Sequence, residues 1–304
     1  MSDSIAPPAI VTKGLGRSFG SQVVLADLDL EVARGEVFAL LGPNGAGKTT
    51  TINILTTLTT PDAGTAMIAG IDVARDPESV KRRISLTGQA AAVDDVLTGT
   101  ENVVMLGRLS GLSPRRARAR AAELLERFDL TDAAGKRVGT YSGGMRRRLD
   151  LALSFVVTPE ILFLDEPTTG LDTRSRRELW DVIRSLASAG TTVFLTTQYL
   201  EEADQLADRI AVLDAGRVVA VGTADELKAR IGGDTVELHD EHGELLREMP
   251  TDGTVSGLRR VLDVLDESGA EGIVTLRRPS LDDVFLALTA PLAARATPSD
   301  KELA

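Results

Sequence analysis

Positions 42–49 read Gly42-Pro43-Asn44-Gly45-Ala46-Gly47-Lys48-Thr49, and this stretch decides the fold. The apolar run 36–41 before it predicts a buried strand, and the run 49–55 that follows predicts a helix. Glycines at this spacing let backbone N–H groups turn inward around phosphate oxygens, whose charge the helix N-terminus favours. A strand, a G-x-x-x-x-G-K-[ST] loop and a helix in this order therefore predict a nucleotide site in an α/β fold.

Two further groups complete the chemistry that such a loop requires. Lys48 is expected to reach the β- and γ-phosphates, and the Thr49 hydroxyl is expected to ligate Mg²⁺. The apolar run 161–164 predicts a strand that ends in Asp165-Glu166. Because ligands bind at the carboxyl ends of strands in open α/β sheets, we expect Asp165 to hold Mg²⁺, mainly through water. Glu166 is expected to polarise the attacking water as general base.

The motif Tyr141-Ser142-Gly143-Gly144-Met145 comes shortly before that strand and opens a helix predicted from Met145 to Phe155. A hydroxyl and close backbone amides at a helix start can clasp a γ-phosphate, although an isolated Ser-Gly-Gly is most often a plain turn. The motif resembles the LSGGQ signature of the ATP-binding subunits of ABC transporters, with Tyr141 for leucine and Met145 for glutamine. The order of the glycine loop, Gln89, this motif and Asp165-Glu166 matches the same family.

The resemblance covers residues 10–228 and implies roles for other positions. Phe19 resembles the aromatic residue that stacks on adenine, and a core phenylalanine is the alternative. Gln89 resembles the glutamine that touches Mg²⁺ and contacts the membrane subunit. Asp172 resembles the residue of the D-loop and also fits an ordinary helix N-cap.

The resemblance implies an ATP site shared between two copies of the chain, and each copy contributes a different group of residues to that site. The ATP-binding residues of one copy are Phe19, Gly42, Pro43, Asn44, Gly45, Ala46, Gly47, Lys48, Thr49 and Thr50. The residues contributed in trans by the other copy are Ser142, Gly143, Gly144, Met145 and Asp172. The Mg²⁺ ligands are Thr49, Gln89 and Asp165, and the catalytic residues are Glu166 and Gln198.

Gln198 is a departure from the family pattern. The family normally carries a histidine directly after the strand predicted at 192–197. Glutamine can hydrogen-bond a γ-phosphate but cannot take a proton near neutral pH, so a switch role is expected without a proton role. Gln198, the run Tyr-Ser-Gly-Gly-Met-Arg-Arg-Arg at 141–148 and Pro-Ser-Leu-Asp-Asp-Val-Phe-Leu at 279–286 together resemble one subgroup. It comprises the daunorubicin/doxorubicin-resistance subunits of actinobacterial exporters.

The composition agrees with a cytoplasmic partner of a membrane protein. No stretch of the 304 residues approaches the ~18 apolar residues of a membrane span, and the N-terminus lacks the regions of a signal peptide. The net charge of −11 argues against nucleic-acid binding, and the absence of cysteine excludes disulfides. We therefore expect a location at the cytoplasmic face of the cell membrane, through a separately encoded permease.

Changes of pattern along the chain predict its organisation. The core is expected to be a doubly wound P-loop NTPase (RecA-like) fold with an antiparallel β piece and a helical subdomain. In the small α+β region that follows, strands 235–238 and 272–276 enclose a helix at 255–266, and Ser280 and Asp283 are spaced to cap a last helix. The predicted segments are a mobile arm 1–9, an ABC ATP-binding domain 10–228 with a helical insertion at about 90–157, a C-terminal domain 229–290 and a disordered tail 291–304.

Three classes of function compete for this sequence. Soluble ABC ATPases of translation or DNA repair usually carry two cassettes or a long coiled coil, whereas this chain has one G-x-x-x-x-G-K-T and no sustained heptad. A GTPase would carry Asn-Lys-x-Asp, which is absent. The favoured function is the ATP-hydrolysing subunit of an exporter of drugs, antibiotics or lipids, which powers a permease through an ATP-sandwiched homodimer. A soluble non-transport ABC ATPase is the alternative.

Overall fold

The structure is a computed structural model that describes residues 7–88 and 93–289. It separates into two compact units, which divide between Val221 and Gly222. The strands are β1 (Ile10–Phe19), β2 (Gln22–Val32), β3 (Val37–Leu41), β4 (Ala63–Ile68), β5 (Ile71–Asp72), β6 (Ile84–Thr87), β7 (Ile161–Asp165), β8 (Thr192–Thr197), β9 (Arg209–Asp214), β10 (Arg217–Gly222), β11 (Thr235–His239), β12 (Leu245–Pro250) and β13 (Ile273–Arg277). The α-helices are α1 (Lys48–Leu55), α2 (Pro77–Lys81), α3 (Gly99–Leu109), α4 (Pro114–Arg127), α5 (Gly143–Ser154), α6 (Thr173–Ser188), α7 (Leu200–Leu206), α8 (Ala224–Ala229), α9 (Val255–Glu267) and α10 (Leu281–Thr289), and short 3₁₀ turns cover Thr131–Ala133 and Val138–Thr140.

The first unit is built around a sheet with the strand order β10-β9-β3-β8-β7-β6. Strands β6, β7, β8, β3 and β9 run parallel, and β3, β7 and β8 are buried along their whole length because both faces of the sheet are covered. The strand order places the carboxyl ends of β3, β8, β7 and β6 side by side. The loops that carry the predicted chemistry therefore start from neighbouring points on one edge of the sheet.

A second, antiparallel sheet with the order β2-β1-β4-β5 belongs to the same unit. Its Leu15 and Leu28 share one buried cluster with Phe38 and Phe194, whose rings stack at 5.7 Å. Ala9 belongs to this sheet rather than to the predicted mobile arm, because its buried N–H donates to the Val32 carbonyl at 2.8 Å. The rest of that arm up to residue 6 lies outside the described residues.

A helical insertion connects β6 to β7 and contains α3, α4 and α5. A capping box fixes the start of α3, since the Thr98 hydroxyl accepts from the Glu101 N–H and the Glu101 carboxylate accepts from the Thr98 N–H. Helices α3 and α4 pack closely at Gly107, where an added Cβ would be 3.2 Å from that of Ala117. These packed helices confirm the predicted helical subdomain.

The second unit is a small α+β structure. Its sheet has the order β12-β11-β13, and Val236 and Leu238 of this sheet form a core with Val261 and Leu265 of α9. The sequence did not predict β12, because it is a mostly exposed edge strand without an apolar alternation. Helix α8 contacts α10 within this unit, so the division between the units precedes the predicted boundary after residue 228.

Two expectations concern the end of the chain and the membrane. Asp283 accepts from the Ser280 N–H at 2.9 Å and donates its own N–H to the Ser280 hydroxyl at 3.2 Å, which is the predicted cap of α10. The predicted disordered tail lies outside the described residues, which end at 289. Within 7–88 and 93–289, none of the helices has the length and apolar character that crossing a bilayer requires.

Candidate active site

The predicted phosphate loop lies between β3 and α1, and its shape requires glycine at two positions. Gly47, the N-cap of α1, has a φ of 109°, which a residue with a side chain rarely adopts. A Cβ at Gly42 would clash with the Leu213 carbonyl oxygen, so this residue allows β9 to approach closely. A turn of this kind, directly before a helix N-terminus, forms a concavity lined by N–H groups that suits phosphate.

Lys48 is the first residue of α1, and its ammonium group is almost completely enclosed, with a side chain 4% exposed. The ammonium donates to the carbonyls of Gly42 at 2.9 Å and Pro43 at 3.1 Å. It also forms an ion pair with Oε1 of Glu166 at 3.3 Å. The structure therefore brings together the cation of the first motif and the second carboxylate of the second motif.

The predicted Mg²⁺ ligands Thr49 and Asp165 are also adjacent. The Thr49 hydroxyl donates to Oδ2 of Asp165 at 3.1 Å, and the hydroxyl of Thr196 on β8 donates to Oδ1 at 2.6 Å. A hydroxyl beside a carboxylate at a phosphate site is a donor set that suits Mg²⁺, which usually combines few protein oxygens with phosphate and water. The third predicted ligand, Gln89, lies outside the described residues.

Glu166 follows β7 in an uncommon backbone conformation, with a φ of 49°. For a residue other than glycine this conformation costs roughly 1–3 kcal/mol and persists only where the surroundings impose it. Here the Glu166 N–H donates to the carbonyl of Thr196 at 3.1 Å and to its hydroxyl at 3.2 Å. The bend turns the Glu166 side chain toward Lys48 and away from the line of the strand.

Gln198 follows β8 at the same edge of the sheet and is half-buried. Gln198 does not cap the next helix, because Tyr199 occupies the N-cap position of α7. The turn is fixed instead by Thr197, whose hydroxyl accepts from the Tyr199 N–H at 2.9 Å. Among the described residues, the Gln198 side chain has no hydrogen-bond partner, so its amide remains available to a ligand.

The signature motif adopts the geometry of a helix start. The Ser142 hydroxyl is the N-cap of α5 and accepts from the Met145 N–H at 3.2 Å, so the helix begins two residues before the predicted start. The departure at Tyr141 has a structural reason, since its hydroxyl donates to the Ala133 carbonyl at 2.7 Å and burial raises the pKa of its phenol. Within the described part of one copy, no hydrogen bond or ion pair joins this motif to the phosphate loop.

Asp172 and Phe19 each had two possible roles. Asp172 is the N-cap of α6, and hydrogen bonds from the Ser175 N–H and hydroxyl, both at 2.9 Å, lower the pKa of its carboxyl. The core alternative for Phe19 is wrong, because its side chain is 52% exposed. The Arg17 guanidinium covers one face of the ring at 4.8 Å from the centroid and is itself held by Asp62 at 2.6 Å.

Several residues of the site had not been singled out in the sequence. Thr196 holds both Asp165 and Glu166 in place, and the parallel register that pairs Asp165 with Thr196 explains how. Glu202 of α7 is completely buried and accepts from the Trp180 indole at 3.2 Å, and burial raises the pKa of its carboxyl. Its position four residues after Gln198, at the start of a helix, was the available signal.

Comparison with known proteins identifies the family. The family model of ABC transporters matches residues 25–169. The daunorubicin resistance ATP-binding protein DrrA3 of Streptomyces coeruleorubidus is 54% identical over 94% of this chain and 97% of its own length. This chain belongs to the ABC transporter ATP-binding family. It is an ATPase, and its cofactor is ATP.

Other members of the ABC family are also similar to this chain over most of their length. The doxorubicin resistance ATP-binding protein DrrA of Mycobacterium tuberculosis is 49% identical, with 92% of this chain and 93% of that protein covered. The Nod factor export ATP-binding protein I of Cupriavidus metallidurans is 39% identical, with 91% and 96% covered. Both names describe ATP-binding proteins of resistance or export, which agrees with the subgroup that the sequence resembles.

Solved structures confirm the predicted fold class. The ATP-binding subunit of an ABC transporter superposes with a TM-score of 0.65 at 30% identity, covering 73% of this chain and 93% of that one. An ATP-binding cassette solved as a dimer in a post-hydrolysis state with ADP and Pi has a TM-score of 0.63 at 25% identity, covering 70% and 98%. The chain is thus the ATP-binding subunit of a transporter complex of this family.

Proposed function

We propose that this subunit drives export of drug-like or lipid-like molecules by a separate permease, at the cytoplasmic face of the cell membrane. The observation that carries the ATPase part is the cluster in which Lys48 meets Glu166 at 3.3 Å while Thr49 meets Asp165 at 3.1 Å. The cargo class is supported by the names of the relatives, which describe resistance to anthracyclines and export of a Nod factor.

The side chains of this cluster divide the work of hydrolysis. Lys48 donates to the β- and γ-phosphates from inside the loop, where its enclosed ammonium is little screened by water. Thr49, Asp165 and Gln89 would hold Mg²⁺, which would supply positive charge at the phosphate oxygens. Glu166, whose carboxylate lies 3.3 Å from the Lys48 ammonium, takes a proton from the attacking water. Gln198 orients the γ-phosphate by a hydrogen bond without changing its charge.

The complete site forms in a homodimer, with ATP between the phosphate loop of one copy and the signature of the other. The trans contribution comes from Ser142, Gly143 and Gly144 at the start of α5, with Met145 and Asp172. The start of α5 suits this role because Ser142 and Gly143 are exposed and the first helical N–H groups favour an anion. Phe19 fits the adenine stack, since one face of its exposed ring is covered by Arg17 and the other can receive a base.

The permease is proposed to dock beside α3. A groove of about 450 Å³ opens there, lined by apolar side chains that include Ile84, Leu106 and Val156 and by basic ones, Lys81 and Arg82. A lining that mixes apolar and cationic side chains suits a short amphipathic helix. We assign the docking segment to 89–106, because it begins at Gln89, which resembles the glutamine that contacts the membrane subunit, and ends at Leu106 in this groove. Its residues 89–92 lie outside the described part of the chain. The second unit, which begins at Gly222, is proposed to be a stability or dimerisation module.

A cysteine at Met105, which is 41% exposed beside this groove, is expected to cross-link to the permease. The chain has no cysteine of its own, so a single substitution gives a single reactive thiol. The assay is cross-linking in membranes that contain the protein encoded beside this chain, followed by mass spectrometry of the adduct. Val23→Cys is the control, because Val23 is 63% exposed on β2, away from the insertion. Adducts of both variants with lipid or with this chain alone would favour the non-transport alternative.

Replacement of Gln198 tests the switch role. Gln198→Ala is expected to lose about 10- to 150-fold in ATPase rate, because a hydrogen bond to a charged group contributes ~1.5–3 kcal/mol. Gln198→His is expected to retain substantial activity and to add a pH dependence near 6.5, the unperturbed histidine pKa. The measurement is the pH–rate profile at saturating ATP, with Gln205→Ala on the exposed side of α7 as the control. An alanine variant as fast as wild type would leave Gln198 without this role.

A further inference from the structure

The signature helix α5 carries Arg146, Arg147 and Arg148 in succession, and the three side chains reach different elements. Arg146 pairs with Asp95, in the segment before α3. Arg148 pairs with Asp129 at 3.0 Å, after α4. Arg147 reaches the loops that follow β6 and β7, and its side chain is 11% exposed.

The Arg147 guanidinium joins two loops to α5. Its Nη1 donates to the Gly88 carbonyl at 2.8 Å and its Nε donates to the Pro167 carbonyl at 2.9 Å. Nη1 also pairs with Asp150, one turn along the same helix, at 3.1 Å. Gly88 follows β6, and Pro167 directly follows Glu166 after β7. One side chain thus connects the helix that starts at Ser142 with the two loops beside the hydrolysis site.

The surroundings keep this guanidinium charged. Burial lowers the pKa of Arg147, but the carboxylates of Asp150, Glu202 and Asp165 oppose that shift. Glu202 lies on α7, and Asp165 belongs to the predicted Mg²⁺ site. The Nε and Nη1 atoms of the rigid guanidinium reach two separate carbonyls, whereas the donors of a lysine all radiate from one nitrogen and cannot reproduce this spacing.

We propose that Arg147 is a positioning residue for ATP hydrolysis: it clamps the loops after β6 and β7 to the signature helix and thereby holds Glu166 at its place beside Lys48. The residue acts through Glu166, so the kinetic part of the inference rests on the proposed function. The clamp also implies that a movement of the helical insertion displaces the backbone at Gly88 and at Pro167, beside the hydrolysis site, because the Arg147 guanidinium binds both carbonyls.

The first test measures the clamp itself. Amide hydrogen exchange is followed in segments 84–88 and 165–170 of the full chain for wild type, Arg147→Lys, Arg147→Met and Arg148→Met. Both Arg147 variants are expected to exchange at least about tenfold faster in the two segments, which is the effect of losing one charge-assisted hydrogen bond. Arg148→Met, which removes the neighbouring arginine from the same helix, should leave both segments as in wild type. Unchanged exchange in the Arg147 variants would overturn the proposal, whatever the chain hydrolyses.

The second test separates positioning from general damage. In both Arg147 variants kcat is expected to fall about 10- to 100-fold while KM for ATP stays within about threefold, because the phosphate loop and Phe19 are untouched. Arg147→Lys keeps the buried charge, so its melting temperature should stay near that of wild type even if Arg147→Met unfolds. A lysine variant with normal exchange and normal kcat would show that charge alone suffices and would overturn the clamp. Absence of ATPase activity in wild type would contradict the proposed function, while the exchange result would still decide the clamp.

Discussion

Glu166→Gln is expected to lower the rate of ATP hydrolysis by about 10²- to 10⁴-fold, the usual contribution of a general base. Glutamine has the same shape but cannot accept a proton near neutral pH, so ATP still binds and is retained. The variant should therefore accumulate as an ATP-bound dimer. The measurements are single-turnover hydrolysis of labelled ATP and gel filtration with Mg²⁺ and ATP present.

Glu160→Gln is the matched control for this experiment. Glu160 lies just before the same strand, β7, and its exposed carboxylate pairs with Arg83 at 2.7 Å and with Arg34 at 3.2 Å. Loss of these surface pairs changes stability by at most about 1 kcal/mol, and hydrolysis should stay within about twofold of wild type. If Glu166→Gln hydrolyses ATP at the wild-type rate, Glu166 is not the base.

Equal mixing of Lys48→Ala and Ser142→Arg chains is expected to restore activity that neither variant has alone. Each homodimer should be about 100-fold slower than wild type or worse, since one loses the phosphate cation and the other blocks the signature. In a mixed dimer, one of the two sites combines an intact loop with an intact signature. Random pairing in a two-fold dimer makes half of the dimers mixed, so about a quarter of wild-type activity should return.

Two controls make the mixing experiment decisive. Differently tagged chains, purified in two steps, show that mixed dimers form. Ser142→Ala removes the hydroxyl that accepts from the Met145 N–H without adding a bulky side chain, so it shows whether loss of the N-cap alone, at about 1 kcal/mol, explains the loss in Ser142→Arg. Verified mixed dimers with no more activity than the two separate variants would contradict a site shared between copies.

The sequence predicts the phosphate loop well because its geometry is local. The spacing of Gly42, Gly47 and Lys48 between an apolar strand and a helix determines backbone shape without help from the rest of the fold. The contact of Asp165 with Thr196 could not be predicted in this way, because it depends on which strand neighbours β7 and in which register. The roles of these residues follow from the family resemblance, whereas the residues that lie next to them follow from the strand order of the sheet.

For residues whose sequence fits two roles, the burial of the side chain and the direction in which it points decide between them. Phe19 fitted both a core and a ligand role until its exposure was known, since an aromatic residue at the end of a strand suits either. Arg147 could not be separated from Arg146 and Arg148 in the sequence, because a run of like charges gives no sign of which member points inward. The edge strand β12 was missed for a related reason, as mostly exposed side chains leave little hydrophobic pattern.

The backbone of Glu166 has a consequence for the spectrum of residues that position 166 can hold. At a φ of 49°, β-branched side chains are strongly disfavoured, whereas glycine, asparagine and aspartate are tolerated. Two requirements thus restrict position 166: hydrolysis requires a carboxylate, and the main chain requires a residue that tolerates a positive φ. In related cassettes that have lost hydrolysis but kept the fold, we expect position 166 to hold residues that accept a left-handed main chain. Valine, isoleucine and threonine are expected to be rare there.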